Sequence, residues 1–328
     1  MLKKANKVKI VTSIGAGPIG GGWAALFLAQ GFKVNAYLHS EDEIDMFNSI
    51  VQTAWVSLAK LGLADGASLR NLEIFTELED SLQGTDFVLE SAPERLEIKQ
   101  GLYEILGSIV PNDVVISSST SGLTMTEIQQ KCSTPERTVI GHPFNPPYLL
   151  PLVEIVGGKK TNPDAVLWAA EFYEISGKSP LVMKKEIPGF VATRLQEALW
   201  REALHMVANE EATPADIDNA LINGPAPRMA VQGQCMAFHV ACGEGGMATN
   251  LDQFGPALKL PWTRLKAPDL SKELRNKMVD GCAEMAGDQH FEQMAEDRDK
   301  KIVAVLYAFK SNYFLDLKRE LRSKINEF

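Results

Sequence analysis

The sequence lacks several features that would assign it to a specialised class of protein. It has 4 cysteines in 328 residues, none in a CxxC spacing, too few for a disulfide framework and typical of a reducing compartment. No apolar run reaches the roughly 18–20 residues needed to span a bilayer. The first residues also lack the apolar segment and cleavage site of a signal peptide. We therefore expect a cytoplasmic protein that does not partner a membrane.

Positive charge is also scarce. Lys and Arg total 33 against 42 for Asp and Glu, a formal net charge of -9, whereas nucleic-acid affinity depends largely on basic residues that neutralise phosphates. We therefore expect no nucleic-acid partner. The composition, 45% apolar and 23% charged, is typical of a globular protein. The length predicts two domains, at about 100–200 residues per domain.

Three potential metal ligands lie close together in the second half of the chain. Cys235, His239 and Cys242 would share one face of a helix, a geometry that a zinc site uses. No fourth ligand lies nearby, and the flanking residues are mostly apolar. We interpret the segment as a buried helix and expect no metal.

Strand-like and helical patterns alternate through the first half. The predicted strands are Val8 to Ile14, Lys33 to Leu38, Leu72 to Phe75, Asp86 to Glu90, Val114 to Ser117, Thr138 to Gly141, Leu152 to Val156 and Leu181 to Met183. Such alternation indicates an α/β fold with a Rossmann-type doubly wound sheet. Pro188 and Gly189 interrupt the pattern. They divide the chain into a Rossmann-type domain, residues 1–187, and a mostly α-helical domain, residues 188–328.

Three helices are predicted in or near the second half. One runs from Pro163 to Ile175 before the last strand, and one from about Phe190 to Ala208. A third begins where Thr213 precedes Pro214, because a threonine N-cap followed by proline is a helix-start signal.

A glycine-rich turn follows the first predicted strand. The segment from Gly15 to Gly20 matches GxGxxG between a strand and a helix. The first glycine permits the tight turn, the second lets the backbone approach a pyrophosphate, and the third allows close packing of helix and strand. The helix N-terminus then presents amide groups to the phosphates. The predicted cofactor contacts in this turn are Gly15, Gly17, Pro18, Ile19 and Gly20.

One expected element of the dinucleotide site is missing. An acidic residue that binds the adenosine ribose should end the second strand, about 20 residues after the glycines, but Leu38 holds that place. Glu41, Asp42 and Glu43 follow at once, and no Arg or Lys stands there to receive a 2′-phosphate. The sequence favours NAD over NADP without deciding between them.

The middle of the chain carries a segment that resembles a known family. Gly141 to Pro146 reads GHPFNP, and Leu152 to Val156 reads LVEIV; both resemble motifs of the 3-hydroxyacyl-CoA dehydrogenase superfamily. The resemblance implies that His142 is the catalytic base and that Glu154 pairs with it. Ser118 to Ser121 resembles the family's SNTS loop, whose last serine contacts the substrate hydroxyl and the nicotinamide region.

The resemblance extends over nearly the whole chain. Glu90 to Arg95 with Lys99 resembles the family's cofactor segment, and Pro188 to Val191 resembles the start of its substrate domain. Thr193 stands where the family commonly has Asn. The implied catalytic residues are His142, Glu154, Ser121 and Asn145. The implied further cofactor contacts are Glu94, Lys99 and Ser119.

A histidine–glutamate pair is suited to the oxidation of an alcohol. When an alcohol is oxidised, the hydroxyl proton leaves as the hydride is transferred, and histidine is the side chain suited to accept a proton near neutral pH. A carboxylate on the other ring nitrogen fixes the tautomer and stabilises the imidazolium that forms.

Segments of the second half resemble, within this superfamily, the bacterial L-carnitine dehydrogenases. These segments are Leu199 to His205 and Gln253 to Thr263. The resemblance implies NAD-dependent oxidation of the 3-hydroxyl of L-carnitine to 3-dehydrocarnitine. The MGPFEL-like segment usual in enzymes of acyl-CoA substrates is absent: residues 227–233 read PRMAVQG.

L-Carnitine carries a trimethylammonium group, which favours aromatic or acidic contacts. Thr193, Glu197 and Trp200 fall on one helical stripe by their spacing, and we hypothesise that they form part of the cation site. Further aromatic candidates are Phe144, Tyr148 and Phe254; candidates for binding the carboxylate are Arg194, Arg201 and Arg228. The alternatives are a surface pair of Glu197 with Arg201, and a Trp200 in the core or a dimer interface.

Two other functions stay open on the sequence. The same catalytic pair would serve a 3-hydroxyacyl-CoA or L-gulonate dehydrogenase. A protein of another class, non-catalytic like the lens lambda-crystallins of this superfamily, would retain the fold alone. The resemblance also implies a homodimer formed through the helical domain.

Overall fold

The structure, a computed structural model, describes residues 2–242, 244, 246–264, 271–274, 276–277, 279–280, 288 and 291–310. These residues form two compact units. The first contains the described residues up to Val191 and those from Glu292 onwards, and the second contains those from Ala192 to Phe291. The sequence assigned residues 188–328 to one domain, whereas in the structure the described residues from Glu292 onwards cluster with the first unit, where Val303 is buried in the core.

In the described chain, eight strands form one sheet in the order β3-β2-β1-β4-β5-β6-β7-β8. All neighbouring strands are parallel except β6 and β7, which pair antiparallel. The strands are β1 Ile10–Ile14, β2 Lys33–Tyr37, β3 Leu72–Phe75, β4 Phe87–Glu90, β5 Val115–Ser118, β6 Thr138–Pro143, β7 Leu152–Gly157 and β8 Ser179–Val182. The order of the first six is that of a Rossmann fold, so the predicted fold class is confirmed.

Each face of the sheet is covered by its own apolar core. Alternate residues of one strand enter different clusters: Val115 belongs to the first and Ile116 to the second, as the period of two in a strand requires. The first cluster is rich in aromatic rings, with the centroids of Phe87 and Phe172 4.4 Å apart. The central strands are therefore fully buried, which explains their nearly continuous apolar sequences.

The helices of the first unit are α1 Pro18–Ala29, α2 Ile44–Leu61, α3 Leu78–Ser81, α4 Leu96–Ile109, α5 Met125–Ile128, α6 Pro163–Ile175 and α11 Phe291–Lys310. The sequence predicted α6 at its observed bounds. Among the described residues, every helix is too short or too polar to cross a membrane.

In the second unit, the helices with complete bounds are α7 Ala192–Ala208, α8 Pro214–Asn223, α9 Ala226–Ala241 and α10 Gly246–Phe254. Thr213 caps α8 as predicted, since its side chain accepts a hydrogen bond from the Asp216 amide. The prediction that α7 begins at Phe190 is wrong by two residues. Phe190 has a positive φ of 49°, which is incompatible with a helix.

The prediction of a buried helix around Cys235 is also wrong for the described chain. Cys235 is exposed, and the side chains of Met236, Phe238 and Val240 are 51%, 40% and 55% exposed. Of the residues between Cys235 and Ala241, only Ala237 is buried. An apolar composition predicts burial, but it does not say whether the same chain supplies the covering surface.

Candidate active site

The two residues predicted to form the catalytic pair lie directly opposite each other on neighbouring strands. His142 on β6 is in register with Glu154 on β7, and the distance from His142 Nδ1 to Glu154 Oε2 is 3.0 Å. Glu154 is fully buried and His142 is 6% exposed. Because Nδ1 is occupied by the carboxylate, Nε2 is the ring nitrogen left to receive a proton.

Two aromatic rings and one backbone amide also surround this pair. The rings of Phe144 and Phe190 each lie 5.3 Å from the His142 imidazole, and the amide of Val191 donates a hydrogen bond of 2.8 Å to Glu154 Oε1. Both carboxylate oxygens of Glu154 are therefore held. The sequence treated residues 188–191 only as a domain start and missed these roles, although their conspicuous Pro-Gly-Phe run was the available signal.

The loop after β5 is organised around the carboxylate of Glu94. Glu94 Oε1 accepts hydrogen bonds from Thr120 Oγ1 at 2.6 Å, from the amides of Ser121 and Gly122 at 2.9 and 3.1 Å, and from Ser121 Oγ at 3.3 Å. Burial alone would raise the pKa of Glu94, but the Thr120 hydrogen bond, the charge of Lys99 and the two amides lower it overall. The predicted residue Ser121 is thus anchored while remaining exposed.

Lys99 lies beneath this loop and is 1% exposed. Its ammonium lies 2.6 Å from Glu90 Oε1 and 3.4 Å from Glu94 Oε2, and Ser118 Oγ donates to Glu90 Oε2 at 2.6 Å. Because Lys99 is enclosed in this way, it positions Glu94 and does not offer its charge to a ligand. The sequence predicted it as a direct cofactor contact. Ser119, also predicted as a contact, hydrogen-bonds through its hydroxyl with Ser91 at 3.1 Å.

The glycine turn has the geometry that a dinucleotide requires. Gly15 has φ of +117°, and a Cβ there would lie 2.6 Å from the Ser91 carbonyl oxygen. A Cβ on Gly20 would lie 2.1 Å from the Gly15 carbonyl oxygen, whereas a Cβ on Gly17 would meet nothing within 4 Å. Two of the glycines are thus required by the turn itself. The third faces open space at the start of α1, where a pyrophosphate would approach the amides, so these residues fit NAD.

Tyr148 is placed differently from the prediction. It is 8% exposed, its hydroxyl donates to Asp299 Oδ2 at 2.5 Å, and a Cβ on Gly22 would lie 3.1 Å from its ring. The ring is therefore packed between α1 and α11 and offers no open face to a trimethylammonium group. The sequence could not show that α11 returns to this unit.

The remaining predicted residues belong to the second unit. Thr193, Glu197 and Trp200 all lie on α7, as their spacing predicted; Thr193 is half-buried, Glu197 is exposed, and Trp200 is 47% exposed. The arginines Arg194 and Arg201 lie on the same helix. Phe254 ends α10 and is 56% exposed, and Arg228 is exposed on α9.

A buried lysine that the sequence did not reveal supports the loop between β6 and β7. Lys178 Nζ donates to the carbonyl oxygen of Pro147 at 2.6 Å and to that of Leu150, and it lies 4.9 Å from the centre of the Trp23 ring. Burial lowers the pKa of Lys178 from 10.5 to about 7. Asn145 lies in this loop, so Lys178 links it to helix α1.

Comparison with known proteins identifies the family of this chain. Residues 10–187 match the family model described as 3-hydroxyacyl-CoA dehydrogenase, NAD binding domain, and residues 189–283 match that of the C-terminal domain. The chain is 52% identical to the L-carnitine dehydrogenase of Streptomyces coelicolor over 92% of this chain and 95% of that one. It is 44% identical to that of Pseudomonas putida, over 94% and 96% of the two chains.

A solved structure is similar as well. The NAD+-dependent dismutase 5-formyl-3-hydroxy-2-methylpyridine 4-carboxylic acid 5-dehydrogenase superposes with a TM-score of 0.80, with 28% identity over 93% of this chain and 99% of that one. Both family models match, and together they span most of the sequence. This chain is a member of the 3-hydroxyacyl-CoA dehydrogenase family and binds NAD through its first domain.

Proposed function

We propose that the protein is an NAD-dependent L-carnitine 3-dehydrogenase, which converts L-carnitine and NAD+ to 3-dehydrocarnitine, NADH and a proton. The observation that carries the chemistry is the buried bond from His142 Nδ1 to Glu154 Oε2 at 3.0 Å. The substrate is supported by relatives named L-carnitine dehydrogenase at 44% and 52% identity over nearly full length.

In the proposed reaction, His142 Nε2 accepts the proton of the 3-hydroxyl group. Glu154 keeps the other proton on Nδ1 and stabilises the positive charge that develops on the ring. When bound, NAD supplies the acceptor for the hydride that leaves carbon 3. Ser121 and Asn145 are proposed to orient the substrate hydroxyl, and the hydrogen bonds that Glu94 accepts from the Ser121 loop would fix the position of that loop.

The test is NADH formation, followed by its ultraviolet absorbance, with L-carnitine, D-carnitine, 3-hydroxybutyryl-CoA and L-gulonate in parallel. We expect turnover of L-carnitine alone among these, and its loss in His142→Asn. Turnover of the CoA ester or of L-gulonate at higher kcat/KM would replace the proposed substrate. No turnover of any of the four by a protein that binds NAD would favour a non-catalytic role.

For the trimethylammonium group we propose Trp200, with Glu197 and Thr193 on the same stripe of α7. The indole is nearly half exposed, so its face is open to a cation, and the Glu197 carboxylate one turn earlier adds negative charge. A cation–π contact contributes about 0.5–2 kcal/mol.

The matched control for this cation site is Leu195, which lies on another face of the same helix and is 65% exposed. We expect Trp200→Ala to raise the KM for L-carnitine about twofold to thirtyfold. Leu195→Ala should leave it unchanged, and NAD binding should be the same in both variants. An unchanged KM in Trp200→Ala would remove this residue from the cation site.

We further propose a cytoplasmic homodimer formed through the second unit. Within the described chain, Leu199 on α7 is 51% exposed, and Ile222 on α8 is 64% exposed. Apolar side chains clustered on one domain favour a subunit interface. Light scattering should give twice the chain mass of 36.0 kDa; a monomer at micromolar concentration would contradict the proposal.

A further inference from the structure

The place where a Rossmann domain usually holds the adenosine ribose is filled here by an apolar side chain. Leu38, directly after β2, is 0% exposed, and its amide donates to the Phe75 carbonyl oxygen at 2.9 Å. Its side chain therefore offers no hydrogen-bonding group to a ribose hydroxyl, and its amide is already engaged. Recognition of that hydroxyl has to come from another residue at the end of β2.

The carboxylate of Glu43, in the turn that follows β2, lies close to the end of this strand. Glu43 ends the short helical turn Glu41–Glu43, and its Oε2 accepts a hydrogen bond of 2.8 Å from the amide of His39. Of the three acidic residues in this turn, Glu43 alone is partly buried, while the other two are exposed. The Glu43 carboxylate is thus held in place, with Oε1 left for a ligand hydroxyl.

This carboxylate lies at the edge of the sheet where NAD binds. The amide of Gly15, the first residue of the glycine turn, donates to the carbonyl oxygen of Tyr37 at 3.0 Å, and His39 follows Tyr37 by two residues. The ribose of a dinucleotide whose pyrophosphate lies over the glycine turn is directed to the end of this second strand.

We propose that Glu43 recognises the adenosine ribose of NAD and excludes NADP. Its carboxylate accepts a hydrogen bond from the 2′-hydroxyl, in the role that an acidic residue at position 38 would otherwise have. A 2′-phosphate would meet this carboxylate as a like charge. It would also lack the His39 amide as a donor, because Glu43 already occupies it.

The charges around this point act in the same direction. The pKa of the Tyr37 phenol is raised by burial, and further by the negative charges of Glu77, Glu79 and Glu43. Carboxylates from the segment after β2 and from the segment after β3 therefore lie near the end of β2. Residues 38–47 contain no Lys or Arg that would neutralise a 2′-phosphate.

The test measures binding rather than turnover, so its result does not depend on the identity of the substrate. Calorimetry gives the Kd of three ligands: NAD+, 2′-deoxy-NAD+, which lacks the 2′-hydroxyl of the adenosine ribose, and NADP+. Each is measured for the wild-type protein, Glu43→Ala, Glu43→Gln and the control Asp42→Asn. The control removes an exposed charge from the same turn. Glutamine keeps an oxygen that can accept from the His39 amide, so Glu43→Gln retains the local fold; circular dichroism verifies this.

We expect the wild-type protein to bind NAD+ about tenfold more tightly than 2′-deoxy-NAD+, the size of one hydrogen bond to a charged group. Glu43→Ala should bind both about equally, at the weaker value. Glu43→Gln should bind NADP+ about tenfold more tightly than the wild-type protein does, while Asp42→Asn changes each Kd by less than about threefold. Glu43→Ala that still distinguishes the two NAD forms, or wild-type protein that binds NADP+ as well as NAD+, would overturn the proposal.

Discussion

Replacing Glu154 by glutamine tests the proposed chemistry most directly, because the change removes a charge while keeping the shape of the side chain. The amide of Val191 donates to Oε1 at 2.8 Å, so the glutamine oxygen takes that position and its NH2 group faces His142. That NH2 group donates to Nδ1 and forces the imidazole proton onto Nε2. The ring nitrogen that should accept the substrate proton is then already protonated.

The size of the effect follows from the distance. At the 3.0 Å that separates Nδ1 from Oε2, two unit charges interact by about 5.5 kcal/mol at an effective dielectric constant of about 20. Since 1.36 kcal/mol corresponds to a tenfold change in rate, the loss of the carboxylate lowers kcat by about 10⁴. Both groups are buried, so screening by salt reduces the effect little.

The assay is steady-state turnover of L-carnitine, with NAD+ binding measured separately by calorimetry. We expect Glu154→Gln to lose kcat and to retain the Kd of NAD+. The control is Glu186→Gln. Glu186 accepts a hydrogen bond of 2.9 Å from the amide of Thr126 in α5, and this variant should retain kcat within about threefold. A loss of kcat below tenfold in Glu154→Gln, or a loss confined to KM, would refute the assigned role.

Three further predictions concern the residues that hold the cofactor turn and the catalytic loop. Gly20→Ala should lower the free energy of unfolding by about 1–3 kcal/mol, because its Cβ would lie 2.1 Å from a carbonyl oxygen. In Gly17→Ala the Cβ would meet nothing within 4 Å, so this variant should keep the melting temperature of the wild-type protein. Its affinity for NAD+ should fall by at least about tenfold. Lys178 has a pKa of about 7 in the folded chain, against an ordinary value of 10.5. Between these two pH values the unfolded chain binds one proton more than the folded chain, so the free energy of unfolding rises with pH. In chemical denaturation, Lys178→Met should remove that rise. Tyr148→Phe deletes the 2.5 Å hydrogen bond to Asp299 and should cost about 1–3 kcal/mol in the same assay. An unchanged midpoint would show that this hydrogen bond does not stabilise the fold.

The fold could be predicted where neighbours in the sequence decide the structure. The strands of the Rossmann sheet are short runs of β-branched residues between turn signals, and the predicted Leu72 to Phe75 agrees residue for residue with β3. The return of α11 to the first unit could not be predicted in the same way. It depends on contacts such as Tyr148 with Asp299, residues 151 positions apart, which leave no periodic signal in either segment.

In the candidate site, too, the sequence revealed the residues that stand in motifs but not those that the fold brings near them. The sequence identified His142 and Glu154, but not Phe190, whose positive φ of 49° turns its ring onto the imidazole, nor Lys178 below the loop. It placed Lys99 at the cofactor on the basis of a motif. The structure instead shows a buried ammonium between Glu90 and Glu94, because an ionised lysine so enclosed requires carboxylate partners.

The spacing of twelve residues between His142 and Glu154 follows from the geometry of the sheet. In an antiparallel pair, the sum of the two residue numbers is constant, as it is for Val139 with Gly157 and for His142 with Glu154. A one-residue slip would turn Glu154 to the opposite face, so the loop between β6 and β7 fixes the pairing of His142 with Glu154. Strands β1 to β6 are parallel, and β7 runs in the opposite direction. This reversal places a carboxylate 3.0 Å from Nδ1 of His142, the base of the proposed reaction, and both residues belong to the first unit.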